Sequence, residues 1–186
     1  RSTDPVNIVS DGDKILLDSE TAGDEPCLMA STLKGIPVIT GAQRIITGQA
    51  AIDKFGANVL VCDDAMQHRQ VFRDVNLVLW DNEGLKGNYH VVPRGKLREP
   101  IKEIGRASVI LLTRADEDAK LDTKIEEMIK ADKIPVFRSI HQPEDIIRGD
   151  EKVQKPVAEL RDKKVYAFCG IANPDSFNKT LLFVGA

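Results

Sequence analysis

The sequence predicts an α/β fold around a mostly parallel β-sheet, with a small β-hairpin near its start, in a single domain over residues 1–186. Three observations lead to this prediction. Apolar, β-rich runs recur along the chain, and they are continuous, which is typical of strands buried on both faces of a parallel sheet. Segments with helical periodicity lie between or beside several of these runs. A chain of this length commonly folds as one domain.

The strand signals come in two kinds. Residues 6–9 and 14–17 flank the turn-forming sequence SDGD, and we expect them to pair as a hairpin. The continuous apolar runs predict buried strands at 58–62, 75–80, 108–113, 134–137 and 164–169. Residues 142–163 are polar and charged, and they predict a peripheral loop with some strand.

Helical patterns predict helices at 26–34, 46–55, 118–131 and 174–183. The third of these places four apolar side chains on one face, namely Leu121, Ile125, Met128 and Ile129. The fourth begins at Pro174, which suits a first helical position because that backbone nitrogen needs no partner there.

The composition excludes several classes of function. A net charge of −3 argues against bulk nucleic-acid binding, and no uninterrupted apolar stretch approaches the length of a membrane span. The three cysteines, Cys27, Cys62 and Cys169, are far apart and fit neither a zinc spacing nor a disulfide framework. Because Cys62 and Cys169 lie inside apolar runs, we interpret them as reduced core residues, which favours a reducing compartment.

Both ends of the sequence indicate a fragment of a longer protein. Residue 1 is an arginine, and the last residues, LLFVGA, stop on an apolar run without a polar tail. We therefore expect some apolar surface to lack its natural cover.

The sequence VLVCDDAMQH places Asp63 and Asp64 at the end of a predicted strand. An apolar strand that ends in aspartate is the pattern in which a carboxylate holds Mg²⁺, and a divalent cation would offset the repulsion between adjacent carboxylates. The alternative is that the pair only caps the following turn or helix. Gln67 and His68 favour the first interpretation because they add polar, phosphate-capable groups within one turn.

The sequence GDEP, at 23–26, has the features of a helix start. Gly23 allows a tight turn, Asp24 is a natural N-cap, and Pro26 fits the first turn. Helix capping alone would explain the motif. The functional alternative is that Asp24 acts as a general base, with Glu25 as a second carboxylate beside it.

The sequence PRGKLREP, at 93–100, lies in the most basic stretch of the chain. Arginines such as Arg98 suit a phosphate because the guanidinium offers a two-pronged donor, although a solvated loop would have the same composition. Arg44, in GAQR, is an isolated cation after another apolar run.

Polar residues follow several predicted strands. Asp63 and Asp64 end the first run, Asp81 ends the second, and 113–116 end the third. Since ligands of open α/β sheets bind at the carboxyl ends of the strands, we expect a polar site at that edge. The phosphate-binding pattern GxxxxGK[ST] does not occur in the 186 residues.

Taken in order, the motifs resemble those of the tetraacyldisaccharide 4'-kinase family, the lipid A 4'-kinases. The family carries GDEP, a GxxR segment, DDGFQH, a basic stretch ending in LREP, and a GIxxPxxF turn. This chain has GDEP at 23–26, GAQR at 41–44, DDAMQH at 63–68, LREP at 97–100 and GIANPDSF at 170–177. Each motif is short, but their shared order over most of the chain is specific.

The resemblance implies a P-loop-NTPase-like α/β sandwich and transfer of the γ-phosphate of ATP to the 4'-hydroxyl of tetraacyldisaccharide 1-phosphate, with Mg²⁺ as cofactor. It also implies peripheral attachment to the cytoplasmic face of the bacterial inner membrane. Asp24 would be the general base, in a dyad with a histidine, and Asp63 and Asp64 would belong to the metal site. The nucleotide, phosphate and substrate region would be lined by Glu25, Arg44, Gln67, His68, Arg98 and Glu99.

Two departures from the family pattern shape the expectations. The family's P-loop would lie before residue 1 and its dyad histidine after residue 186, so we expect these 186 residues alone to lack kinase activity. The family motif DDGFQH reads DDAMQH here, and if the family glycine serves a positive φ, Ala65 would be strained by roughly 1 kcal/mol. Two alternatives therefore stay open: a degenerate, non-catalytic nucleotide- or anion-binding module, and a different P-loop phosphotransferase.

Overall fold

The computed structural model describes residues 4–81, 89–115, 121–149, 153–171 and 174–186. The strands are β1 (Asn7–Ser10), β2 (Val38–Thr40), β3 (Leu77–Asp81), β4 (Val109–Thr113), β5 (Val136–Arg138), β6 (Asp145–Arg148) and β7 (Val153–Pro156). The α-helices are α1 (Ser19–Ala22), α2 (Asp24–Thr32), α3 (Arg44–Phe55), α4 (Thr123–Ala131) and α5 (Pro174–Phe183). Short 3₁₀ helices span Ile101–Arg106 and Val157–Leu160.

The central sheet is parallel, with β4 between β3 and β5. It confirms the predicted strands at 75–80, 108–113 and 134–137, with ends shifted by one or two residues. The start of β3 is fixed by Asn76, whose backbone N–H donates to the Ser108 hydroxyl (2.9 Å) and whose side-chain amide donates to the Arg106 carbonyl (3.0 Å). The amino ends of β3 and β4 are thereby held side by side.

One face of this sheet carries the main hydrophobic core. Trp80 from β3 and Ile110 and Leu112 from β4 are buried there. The 3₁₀ helix at 101–106 contributes Ile104, and α4 contributes Ile125 and Ile129, which are also buried. The predicted apolar face of α4 is therefore confirmed, with Leu121 and Met128 packed at the margin of the core. The helix begins at Thr123, after its N-cap Asp122, whose carboxylate accepts from the Lys124 N–H, and residues 118–120 of the prediction lie outside the described residues.

The other face of the sheet is apolar but largely exposed. Register places Leu77 beside Val109, and Leu79 beside Leu111, which in turn pairs with Phe137. Leu79 is 63% exposed and Phe137 is 60% exposed. We call these five residues the open face. This exposed face agrees with the expectation that some apolar surface lacks its natural cover.

The strands predicted at 58–62 and 164–169 are wrong, since neither segment forms a strand in the structure. Both runs are exposed, with Val61 and Tyr166 each 96% accessible. β-propensity expresses packing on a pleated surface, and a run becomes a strand only when a neighbour pairs with it. The interpretation of Cys62 and Cys169 as buried core residues is wrong for the same reason, because both are exposed.

A second, smaller core lies between β1, β2 and α2. Val9, Val38 and Ala30 are buried in it, one from each element. β1 pairs antiparallel with β2, and the predicted partner at 14–17 forms no strand of its own. The predicted turn does exist, because Asp11 Oδ1 accepts from the N–H groups of Asp13 and Lys14. An antiparallel bridge between Ser10 and Ile15 and a hydrogen bond from the Leu16 N–H to the Val9 carbonyl (2.8 Å) follow it, so the predicted hairpin is present, with only this short pairing.

The remaining helices lie close to their predicted positions. α2 begins at Asp24, two residues early, because Gly23 with φ 98° is its N-cap. α3 ends at Gly56, whose φ of 62° gives the left-handed conformation of a helix C-cap. α5 matches its predicted bounds. β6 and β7 form an antiparallel pair within the region 142–163, for which the sequence predicted a loop with some strand.

Within the parts of the chain that the structure describes, every helix falls short of the length and apolar character that crossing a membrane requires.

Candidate functional site

The DDAMQH segment forms an irregular turn rather than the end of a strand. Asp63 and Asp64 are both exposed, and the following Ala65 is buried. The residue with positive φ is Asp64, at 50°, and aspartate tolerates this conformation better than most residues. Ala65 is not among the residues with positive φ, so the expected strain at this alanine is wrong.

Arg98 is the positive charge that faces the two aspartates. Its Nη1 donates to Asp64 Oδ2, and both side chains stay largely exposed, at 64% and 59%. The hydrogen bond to Asp64 raises the pKa of Arg98 further above its ordinary value, and the charges of Asp64 and then Asp63 add to this shift. The structure thus brings DDAMQH and LREP together, as a site shared by the two motifs requires.

Glu99 takes part in a second, more buried set of charges. Arg106 pairs through Nη2 with Glu99 and through Nε with Glu103, the latter at 2.9 Å. The same guanidinium donates through Nη1 to the Met66 carbonyl at 3.0 Å. Arg69 approaches Glu103 at 3.6 Å. Glu99 therefore anchors the basic stretch to the DDAMQH turn through Arg106, and its carboxylate is already paired.

The structure places this cluster differently from the predicted sheet edge. Arg106 lies three residues before the start of β4 at Val109, so the contacts of Met66 and Glu99 lie near the amino ends of the strands. At the carboxyl ends, Asp81 pairs with Arg114, a residue with φ 53°. Residues 58–62 form no strand, so Asp63 and Asp64 do not follow a strand end as Asp81 does, and the predicted grouping of these acids as strand-end residues is wrong.

Asp24 and Glu25 occupy the first turn of α2, and both are exposed. The helix is capped by Gly23 without any side-chain hydrogen bond. The capping interpretation of Asp24 is therefore wrong, and its carboxylate stays accessible at the positive end of the helix. Among the described residues, neither carboxylate makes a hydrogen bond or ion pair to the DDAMQH turn.

Arg44 is the first residue of α3, and its Nη1 donates to the Gly41 carbonyl. The glycine of GAQR has a packing role, because a Cβ at this position would lie 2.3 Å from the Pro5 carbonyl oxygen and 2.9 Å from the Thr47 hydroxyl. Only glycine fits so close to another backbone. The motif therefore sets the entry into α3 and holds Arg44 at its start.

Gln67 is exposed and His68 is half-buried, and both belong to the DDAMQH turn. The His68 N–H donates to the Ala65 carbonyl at 3.0 Å, and the Val71 N–H donates to the His68 carbonyl at 3.1 Å. These bonds fix the backbone that carries both side chains. Gln67 is left accessible for a ligand.

Sequence reasoning missed Arg73. Its Nη1 donates to two carbonyl oxygens of the DDAMQH turn, those of Ala65 (2.9 Å) and His68 (3.0 Å). A contact to backbone carries no side-chain pattern, so nothing in the sequence could have indicated it beyond a cation in a polar loop.

The predicted metal ligands are two carboxylates, those of Asp63 and Asp64. The described residues contain no group of three or more histidine, cysteine, aspartate or glutamate side chains arranged to hold an ion. Mg²⁺ in nucleotide sites is held by one or two carboxylates together with waters and substrate phosphates. The exposed pair of Asp63 and Asp64 therefore fits Mg²⁺ that arrives with a nucleotide, and does not fit a closed protein cage.

A parallel sheet with helices packed beside it places the protein in the α/β class, and an arginine-and-carboxylate cluster lies next to this sheet. Within that class, the family model described as "Tetraacyldisaccharide-1-P 4'-kinase" matches residues 1–186. The chain belongs to the tetraacyldisaccharide-1-P 4'-kinase family.

Comparisons with individual proteins agree with this. The chain is 41% identical to the tetraacyldisaccharide 4'-kinase of Syntrophus aciditrophicus over 191 residues, covering 98% of the chain and 51% of that protein. It is also 41% identical to that of Desulfotalea psychrophila over 184 residues, covering 97% and 52%. The chain thus spans about half the length of the curated relatives it matches.

The fold is similar to a solved structure of the same family. A crystal structure of the "apo" form of LpxK from Aquifex aeolicus in complex with ATP matches with a TM-score of 0.74 and 31% identity. The match covers 100% of this chain and 55% of that one. The prediction of a P-loop-kinase-like α/β fold is confirmed.

Proposed function

We propose that the protein, at its full natural length, transfers the γ-phosphate of ATP to the 4'-hydroxyl of a tetraacyldisaccharide 1-phosphate in lipid A biosynthesis. The observation that carries this proposal is the contact between Arg98 of LREP and Asp64 of DDAMQH, beside Asp63. It joins carboxylates for a metal to a guanidinium for a phosphate. The family membership of the whole chain names the reaction to which this chemistry belongs.

The chemistry of phosphoryl transfer suits this set of groups. Catalysis consists mainly of positioning the reactants and stabilising charge on the phosphoryl oxygens. Asp63 and Asp64 would hold Mg²⁺, which neutralises negative charge on the nucleotide phosphates when it is bound. Arg98 would then contact phosphate oxygens, since both its side chain and that of Asp64 are accessible.

The remaining site residues take their roles from the same proposal. Asp24 would accept the proton of the attacking hydroxyl, because its carboxylate is exposed and not used as a helix cap. The nucleotide, phosphate and substrate region would be lined by Glu25, Arg44, Gln67, His68 and Glu99. Glu99 would act indirectly, since it is paired with Arg106.

The substrate named by the relatives carries four acyl chains, so it resides in a lipid bilayer. We therefore propose that the protein works at a membrane surface, on the cytoplasmic side where ATP is available. The alternative of a degenerate, non-catalytic module rested in part on Ala65, and the absence of a positive φ at that position removes the expected strain as support for it.

The test is a phosphotransfer assay on the protein at its full natural length, with ATP, Mg²⁺ and a tetraacyldisaccharide 1-phosphate in mixed micelles. We expect a 4'-phosphorylated product, and we expect activity to disappear when Mg²⁺ is chelated. The double variant Asp63→Asn/Asp64→Asn should require more Mg²⁺ for half-maximal rate. A product that forms equally well without a divalent cation would exclude the proposed metal role.

A further inference from the structure

The guanidinium of Arg73 holds the DDAMQH turn, which carries the proposed metal ligands. Arg73 Nη1 lies 2.9 Å from the Ala65 carbonyl oxygen and 3.0 Å from the His68 carbonyl oxygen. Arg73 is half-buried, so these bonds are partly shielded from water. The Arg73 guanidinium thus bridges two backbone carbonyls of the turn that are three residues apart.

The same two carbonyls also close the backbone of the turn. The Ala65 carbonyl accepts from the His68 N–H at 3.0 Å, and the His68 carbonyl accepts from the Val71 N–H at 3.1 Å. Each oxygen has two lone pairs and therefore serves both a backbone donor and Arg73. The carbonyl oxygens of two successive turns therefore accept from the same Arg73 side chain, which restrains their orientation.

A second arginine fixes where the turn lies. Arg106 Nη1 donates to the Met66 carbonyl at 3.0 Å, and Arg106 lies three residues before the start of β4. Arg73 therefore restrains the shape of the turn, whereas Arg106 ties it to the sheet. The side chains of Asp63, Asp64 and Gln67 remain exposed on this held backbone.

We propose that Arg73 is a positioning residue for phosphoryl transfer, which acts by holding the turn that presents Asp63 and Asp64. This inference rests on the proposed function. Phosphoryl transfer depends on geometry, and a displacement of about 1 Å can cost about a hundredfold in rate. Arginine suits the task because it presents several donors in a rigid plane and has no acceptor of its own.

The experiment compares Arg73→Ala, Arg73→Lys and a matched control, Arg69→Ala, in the protein at its full natural length. Arg69 lies on the same loop, but it is 68% exposed and its nearest carboxylate, on Glu103, is 3.6 Å away. Three quantities are measured: amide hydrogen exchange at His68 and Val71, kcat/KM for Mg²⁺–ATP, and the melting temperature.

We expect Arg73→Ala to speed exchange at both amides and to lower kcat/KM by about ten- to a hundredfold, with little change in melting temperature. Arg73→Lys should recover part of both effects, since an ammonium group can donate to two carbonyls. Arg69→Ala should leave amide exchange at His68 and Val71 and kcat/KM near the wild-type values.

The outcomes separate this inference from the proposed function. Unchanged exchange at His68 and Val71 in Arg73→Ala would overturn the claim that Arg73 holds the turn. Faster exchange with unchanged kcat/KM would overturn its role in the reaction. A wild-type protein without phosphotransfer activity would overturn the proposed function instead, and the exchange data would still decide whether Arg73 holds the turn.

Discussion

Arg98 and Asp64 form an ion pair across 34 positions of sequence and thereby join two motifs that the sequence presents separately. The pair is exposed on both sides, so solvent screens it and it contributes little to stability. Under the proposed function, the guanidinium and the two carboxylates would together contact Mg²⁺ and the nucleotide phosphates. The relationship therefore predicts a functional effect without a structural one.

Arg98→Gln in the full-length protein should raise the KM for Mg²⁺–ATP or lower kcat, by about tenfold or more in kcat/KM, because a charged hydrogen bond to phosphate is lost. The melting temperature should stay close to that of the wild type. Lys133→Gln removes a charge from an exposed position and serves as the control. A loss of stability without a loss of kcat/KM would show that the pair is structural.

Asp24 and Asp18 provide an opposed pair of variants. Asp24 caps nothing, whereas the carboxylate of Asp18 accepts from the Thr21 N–H at 2.9 Å and caps α1. We expect Asp24→Asn to lower kcat by about a hundredfold or more with little change in melting temperature, as for loss of a general base. Asp18→Ala should lower the melting temperature and spare kcat, because a helix cap is lost. Rates that survive Asp24→Asn would remove the general-base role.

Much of the fold followed from periodicity, and the rest depended on partners distant in sequence. The helix α5 and the apolar face of α4 needed only local patterns, and they were predicted correctly. The runs 58–62 and 164–169 have the composition of strands, but pairing decides strand formation and composition does not specify it. The candidate site shows the same division: the motifs selected Asp64 and Arg98, which the structure places in contact, whereas Arg73 donates to backbone carbonyls and leaves no pattern.

Acid should weaken the fold through Asp11 and Asp18. Backbone N–H donors, that of Lys14 first, lower the pKa of Asp11 below its ordinary 3.8. Hydrogen bonds from Thr21 lower the pKa of Asp18 in the same way. A carboxylate whose pKa is depressed by folding stabilises the fold above its unfolded pKa, and this contribution is lost as the pH falls through the folded pKa. Urea unfolding measures the free energy of unfolding at neutral pH and below pH 3.8. The decrease between the two should be smaller in Asp11→Asn/Asp18→Asn than in wild type. Equal acid effects would contradict the assignment.

Ala65 and Asp64 can be separated by glycine substitutions. Ala65 is buried and lacks a positive φ, so Ala65→Gly should destabilise the protein by about 0.5–1 kcal/mol through added unfolded-state freedom and a lost methyl contact. Asp64 has φ 50°, so Asp64→Gly should be neutral or stabilising, since glycine adopts this conformation freely. Urea unfolding measures both. Stabilisation by Ala65→Gly would mean that the strained position is 65 after all.

The open face of the sheet should make the 186-residue chain self-associate. Leu79 and Phe137 are 63% and 60% exposed on the same face, and parallel sheets are normally covered on both faces. Contiguous exposed apolar surface promotes association, so the chain should bind an apolar fluorescent dye and sediment as more than a monomer. Leu79→Lys should reduce both signals, since an exposed charge on an edge strand opposes pairing. Ile147→Lys is the matched control, because Ile147 is 69% exposed but lies on β6, away from this sheet. An equal reduction by both variants would show that association does not depend on the open face.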